Sequence, residues 1–199
     1  MATFGNTTFN GNIEQPIDNN FWGGVFTLSE TGSAQSITMS MTVDGGTRPC
    51  KCAIYRASDS SLVGVSEEVD SPGSTFPTPE NVTFNFSPTI SLTADDYVLC
   101  CWATNAAGAA YIMKTAAGGT SKNQVVAYCS FPDPATFTDG SDLLDIFCTY
   151  NTPATAPALS GLFVGNARQG RKERVFKKKS LSEDELEKHL DNPAIRWGN

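Results

Sequence analysis

The 199-residue chain carries 14 Lys and Arg against 21 Asp and Glu, a formal net charge of −7, and 40% of its residues are hydrophobic. That length holds one core-bearing domain, or one domain plus an appendage, and the acidic balance argues against a body that binds nucleic acid or an anionic surface by charge. No apolar run reaches the roughly 18–20 residues of a membrane span, and the start MATFGNTTFNGNIEQ has neither the basic nor the apolar part of a secretory leader, so the expected setting is the cytosol or something packaged there.

In chain order, the first 150 residues read as strand after strand. TFGNTTF and GGVFTLS are the first candidates. SITMSMTV, Ser36–Val43, alternates strictly: Ile37, Met39, Met41 and Val43 share one face, and Ser36, Thr38, Ser40 and Thr42 the other, which predicts a half-buried strand with a solvated side. CKCAIYRA and SLVGVSEEV follow. NVTFNF, Asn81–Phe86, turns Val82, Phe84 and Phe86 inward. DYVLCCWAT, Asp96–Thr104, is apolar on both faces and predicts a central strand. AAYIMKT, VVAYCSF and LLDIFCTY complete the set. Turn signals separate them: ETGSA, DGGT, SDSS, SPGS, SPT, NAAG and AGGTSKN. Short strands at roughly 10-residue spacing predict an all-β, antiparallel jelly-roll sandwich of about nine strands over residues 1–150.

The remainder differs. NTPATAPALSG opens a Pro/Ala/Thr-rich linker over 151–165 with polyproline tendency. Residues 166–199 form an extended C-terminal arm. Its basic strip holds Arg168, Arg171, Lys172, Arg174, Phe176, Lys177, Lys178 and Lys179. A short helix is predicted over 181–191: Ser182 is the N-cap, Glu185 completes a capping box, Leu181 and Leu186 form a staple, and Asn192-Pro193 ends it. Leu186 and Leu190 make a thin apolar seam, and Ile195 and Trp197 lie near the terminus. The charge is split accordingly. Residues 1–166 carry five Lys/Arg against fifteen Asp/Glu, a net of −10, whereas 167–199 carry nine against six, a net of +3.

Six cysteines, Cys50, Cys52, Cys100, Cys101, Cys129 and Cys148, lie in or beside apolar runs. Their even number permits a disulfide framework. Without a leader the favoured reading is free, buried thiols packed as small apolar side chains, and the redox state stays open at this level. The single histidine, His189, lies in the arm, so the body has no Ser-His-Asp or Cys-His arrangement and a zinc site is disfavoured. Neither a metal nor a cofactor is expected. Glu67-Glu68 and Asp95-Asp96 read as solvated strand ends rather than acid–base pairs, because adjacent strand residues face opposite ways. DPATFTDGSDLLD concentrates carboxylates without EF-hand spacing, leaving a structural calcium as an open alternative. Trp22, Tyr55 and Tyr111 are candidates for stacking on a glycan, whereas Trp102 reads as core and Phe21-Trp22 as a plug of the sandwich end.

The succession SITMSMTV, KCAIYRASDSSLVGVSEEV, VTFNFSPTISLTADDYVLCCWAT and FPDPATFTDGSDLLDIFCTY resembles the jelly-roll, carbohydrate-binding-module-like β-sandwiches of prokaryotic surface proteins and phage virion proteins. Asp95-Asp96 stands where those modules have a small residue and Gly before the Tyr. The resemblance spans roughly residues 20–150 and implies a binding or structural module rather than an enzyme. The resulting expectation is a virion structural protein, capsid-decorating, head-fibre or tail-associated, assembled in the host cytoplasm. The arm would bind neighbouring virion subunits or a second copy of the chain. The alternative expectation is a glycan-binding module at a cell surface. Nucleic-acid binding by the arm ranks last because the helix after the strip, and the body, are acidic; no membrane partner is expected.

Overall fold

The computed structural model of the protein describes residues 1–71, 73–104 and 109–153. All of them fall in one compact unit, Met1–Ala156. The basic arm over 166–199, its helix over 181–191 and most of the linker lie outside the described residues.

Fourteen strands and no helix occur among the described residues. They are β1 (Ala2–Gly5), β2 (Ile13–Pro16), β3 (Asn20–Leu28), β4 (Gly32–Asp44), β5 (Pro49–Arg56), β6 (Leu62–Val65), β7 (Val69–Asp70), β8 (Glu80–Leu92), β9 (Asp95–Ala103), β10 (Ala109–Thr115), β11 (Ser121–Val125), β12 (Thr138–Gly140), β13 (Leu143–Leu144) and β14 (Ile146–Asn151). The described residues are all-β, as the alternation predicts. Fourteen replace the expected nine partly because runs read as single strands divide: SLVGVSEEV contributes β6 and β7, and LLDIFCTY contributes β13 and β14.

The strands form two antiparallel seven-stranded sheets. In the first, β4 pairs with β8 along one edge and divides its other edge between β14, over Ser33–Met39, and β10, over Met41–Asp44. β1 continues outward from β14, and β2 and β13 from β10. The second sheet runs β12-β11-β3-β9-β5, with β6 and β7 sharing the far edge of β5. Gly45 and Gly46, at φ 88° and 100°, make the turn from β4 to β5, where a Cβ would be strained.

The sheets face each other across one core. Ile37, Met39, Met41 and Val43 meet Cys50, Cys52, Ile54, Leu99 and Cys101, joined by Phe84, Phe86, Ile112, Ile146 and Cys148. Burying each large apolar side chain contributes about 1.5–3 kcal/mol. Period-two alternation sends the other residues of the second sheet outward, and these are apolar too. Phe21, Ala53, Tyr55, Val98, Cys100 and Trp102 form a second cluster on its outer face, with Phe131 and Ala135 lying over them.

That second cluster is covered by irregular chain, the segment from Val126 to Phe137. VVAYCSF is therefore a strand only at its first residue: β11 ends at Val125, and the rest crosses the outer face as a strap. Its backbone finds partners away from any ladder. Val126 N donates to Asn19 O at 2.9 Å and Ala135 N to Ser60 O at 3.0 Å. Thr136 N donates to Gln124 Oε1 at 2.7 Å, Tyr55 OH to Pro132 O at 2.8 Å, and Leu62 N to Asp133 Oδ1 at 2.9 Å. Phe21 stacks on Tyr55 with centroids 6.0 Å apart and meets Phe131 edge-on at 5.4 Å. Gly23 leaves the room β3 needs here, since a Cβ would lie 2.5 Å from Cys100 Sγ and 2.9 Å from Leu99 O.

Three further expectations need correction. SPT is no turn: β8 runs on through Ser87–Thr89. AGGTSKN is a turn only at its start, because Ser121 begins β11. The polar side of SITMSMTV is not solvated throughout. Ser36, Ser40 and Thr42 are buried, and Thr42 Oγ1 is bonded on that side by Glu14 of β2.

Candidate functional site

Where β4, β10 and β2 run side by side, the outer face of the first sheet carries a cleft of about 200 Å³ lined by Glu14, Val43, Asp44, Thr75, Phe76 and Tyr111. Register places it. Tyr111 stands opposite Thr42 on β4, and Glu14 opposite Met113 on β10, so Tyr111, Thr42 and Glu14 share the outer face. Thr42 Oγ1 donates to Glu14 Oε1 at 2.5 Å. The chain after β7 closes one side: Val43 N donates to Ser74 O at 2.8 Å, which holds Thr75 and the half-exposed Phe76 beside the cleft.

Through its carbonyl, Asp44 connects to an ion pair between buried Arg48 and partly buried Asp18. Arg48 is 1% exposed, and its Nη1 donates to Asp18 Oδ1 at 3.1 Å while Nη2 donates to Asp44 O at 3.0 Å. Asp18 also accepts from Ala110 N at 3.0 Å. Burial raises the Asp18 carboxyl above the ordinary carboxylate range, opposed by the Ala110 amide and by Arg48. The Tyr111 phenol is likewise pushed up, first by desolvation and then by Asp44, Glu14 and Asp18. Two aromatic rings beside two carboxylates offer C–H stacking surface together with hydrogen-bond acceptors, a combination suited to a neutral polyhydroxylated ligand.

The three predicted aromatics do not gather on one face. Trp22 is half-buried on the inner side of β3, with Lys114 Nζ 5.4 Å from its ring centroid. Tyr55 is fully buried under the strap and offers no ring to a surface ligand. Only Tyr111 lines the cleft. Trp102 is core, as its doubly apolar strand predicts. Phe21 does not plug the sandwich end but lies beneath the strap. The arm residues Arg168, Arg171, Lys172, Arg174, Phe176, Lys177, Lys178, Lys179, Leu186, Leu190, Ile195 and Trp197 are outside the described residues.

The carboxylates of DPATFTDGSDLLD go to separate partners. Asp133 accepts from Leu62 N, Asp139 pairs with Lys122 at 2.6 Å, and Asp142 with Lys114 at 2.9 Å. Asp145 is buried, accepting from Asn6 Nδ2 at 2.9 Å and Gly11 N at 2.8 Å. Among the described residues no group of three or more His, Cys, Asp or Glu could hold a metal ion. All six thiols are free; five are buried and Cys129 is exposed. Glu67 and Glu68 are exposed in the link between β6 and β7, and Asp96 is exposed near the start of β9.

The body's surface charge is almost wholly negative. Ten of its fifteen carboxylates are exposed (Glu30, Asp44, Asp59, Glu67, Glu68, Asp70, Glu80, Asp96, Asp133 and Asp139), whereas its five Lys and Arg are all buried or partly buried, Arg56 keeping the most side-chain exposure among the ion-paired ones at 41%. Each cation is held within the body. Arg48 pairs with Asp18, Arg56 with Asp95 and Asp59, Lys114 with Asp142, and Lys122 with Asp139. Lys51 Nζ donates to Cys129 O and sits 4.4 Å from the Tyr128 ring centroid. No protein-family model and no curated relative matches this sequence.

Sequence reading singled out Tyr111 but missed Phe76, Glu14, Asp44 and buried Arg48. Phe76 carried a usable signal: a lone aromatic inside SPGSTFPTPEN has no periodic partners and so belongs to a loop surface.

Proposed function

We propose that this chain is a structural protein of a phage virion, a capsid-decoration, head-fibre or tail-associated subunit. Its jelly-roll-type sandwich is displayed, and its C-terminal arm holds it in the assembly. The observation that carries this reading is the one-sided surface. The body leaves ten carboxylates exposed and ties up all five of its cations, while seven Lys and Arg crowd into Arg168–Lys179 of the same chain. An acidic body and a basic strip make complementary surfaces on successive copies or on neighbouring subunits, and the apolar Leu186, Leu190, Ile195 and Trp197 supply residues that gain by docking. The role is binding and assembly rather than turnover. Deleting residues 166–199 tests it: the body is expected to remain folded and soluble but to vanish from purified particles. Incorporation of the truncated chain at the full-length level would refute the arm's role.

A second reading, recognition of host-surface glycan, is favoured by one observation: the cleft where Tyr111 and Phe76 flank Glu14 and Asp44. Glycan-array binding by the full chain, lost in Tyr111→Ala and in Phe76→Ala, is its expected signature. An array without signal would remove it and leave the assembly reading intact.

A further inference from the structure

We infer that Cys52 and Cys101 are a latent cross-strand disulfide pair, able to clamp β5 to β9 at the centre of the second sheet. The two residues are direct register partners on adjacent antiparallel strands, and both face the core between the sheets.

Which kind of partners they are decides whether a bond can span them. Cys52 N donates to Ser66 Oγ at 2.9 Å, and Cys52 O accepts from Ser66 N at 2.9 Å. Both backbone groups of Cys52 therefore point away from β9. Neighbouring residues keep the same phase. Ala103 N donates to Ile17 O and Arg56 N to Ser61 O, away from the β5–β9 seam, whereas Thr104 N reaches Pro49 O across it. Cys52 and Cys101 thus form a non-hydrogen-bonded pair, the kind whose Cα atoms approach to about 4.5 Å and whose side chains lie closest. A disulfide needs a Cα separation of roughly 4.4–6.8 Å, which includes the spacing of such a pair; the Cys101 thiol, which donates to Trp22 O on β3 at 3.5 Å, has only to turn toward β5 to meet Cys52.

No other thiol has such a partner. Cys50 stands opposite Ala103, and Cys100 stands opposite Ala53 and Gly23 while facing the outer cluster. Cys148 belongs to the other sheet, and exposed Cys129 to the strap.

The oxidant is a small-molecule disulfide such as oxidised glutathione. One cysteine thiolate attacks it and releases one thiolate, giving a mixed disulfide. The second cysteine thiolate then displaces the other half, and the two protons lost from the cysteines end on the two released thiols. Burial holds both thiols well above the ordinary thiol range, so the folded interior is inert. Exchange takes place while β5 and β9 are still open, during folding in an oxidising medium.

The test is to refold the full chain from denaturant in a mixture of reduced and oxidised glutathione, alkylate the remaining thiols and map the peptides by mass spectrometry. The expected product joins the peptide of Cys52 to the peptide holding Cys100 and Cys101. The link persists in Cys100→Ser and disappears in Cys101→Ser, and Tm falls by about 10 °C on reduction. A natively folded product with Cys52 fully alkylated, or bonded to any cysteine but Cys101, overturns the inference. Should refolding from denaturant fail, cell-free synthesis in the same mixture, mapped identically, distinguishes the same two outcomes.

Discussion

The two faces of the second sheet are both buried, but by different means. Toward the first sheet, β9 presents Tyr97, Leu99, Cys101 and Ala103 to a core closed by regular strands on both sides. Away from it, β9 presents Val98, Cys100 and Trp102 to rings carried by chain that pairs with nothing in a ladder. The inner core is fixed by register, where a one-residue slip would turn every side chain over. The outer one is fixed by scattered anchors, among them Tyr55 OH to Pro132 O, Leu62 N to Asp133 Oδ1 and Ala135 N to Ser60 O. A strand apolar on both faces need not sit between two sheets; an aromatic strap can serve as the third layer.

The largest effect is expected at Trp102. If the outer cluster is a true core, Trp102→Ala costs about 3–5 kcal/mol, within the range of Leu99→Ala on the inner face, as read from urea midpoints. A loss under about 1 kcal/mol, the size of an ordinary surface change, would mean that the strap lifts off in solution.

Asp145 lies outside both clusters and serves as a control. Asp145→Ala strands Gly11 N, leaves Asn6 Nδ2 with Leu144 O alone, and costs about 1–3 kcal/mol. Its pH dependence has a definite sign. Burial is the leading cause that raises its carboxyl, outweighing the bonds from Gly11 and Asn6, so the folded state binds the proton more tightly than the unfolded chain does. The ionisation-linked stability is present below the ordinary Asp value of about 3.9 and is lost as pH rises through the higher folded value. The gap between wild type and Asp145→Ala should therefore be wider in acid than at neutral pH, as measured by urea unfolding at both.

Anchors of the strap come next. Tyr55→Phe removes the bond to Pro132 O and should cost about 1 kcal/mol. It should also speed amide exchange over the strap while leaving β4 and β9 unchanged. The smallest effect is expected at Lys51, which caps the rings of Trp102, Tyr128 and Phe131. Desolvation lowers its ammonium pKa despite Glu68, and Lys51→Met should cost no more than about 1 kcal/mol.

Much of the inner core was legible because alternation is a direct image of burial. Ile37, Met39 and Met41 on β4, and Val82, Phe84 and Phe86 on β8, face the side their spacing predicts. β9 was legible as central, but its cover was not. VVAYCSF has strand-like composition, and β propensity records fit to a half-buried surface rather than ladder pairing. Pro132 and Pro134 were the available warning. The cleft was legible only through Tyr111. Glu14, Asp44 and Phe76 come from three separate stretches: the register of β2, β4 and β10 places the first two, and the bond from Val43 N to Ser74 O brings in the third.

The proposed assembly role depends above all on attraction between the acidic body of one copy and the basic arm of the next. Sedimentation velocity of the full chain and of a chain ending at Gly165, at about 50 mM and about 500 mM salt, tests it most directly. The full chain should run larger than a monomer at low salt and approach the monomer at high salt, while the shortened chain stays monomeric in both. Equal, salt-independent sedimentation of the two chains as monomers, or equal association of both, would contradict it.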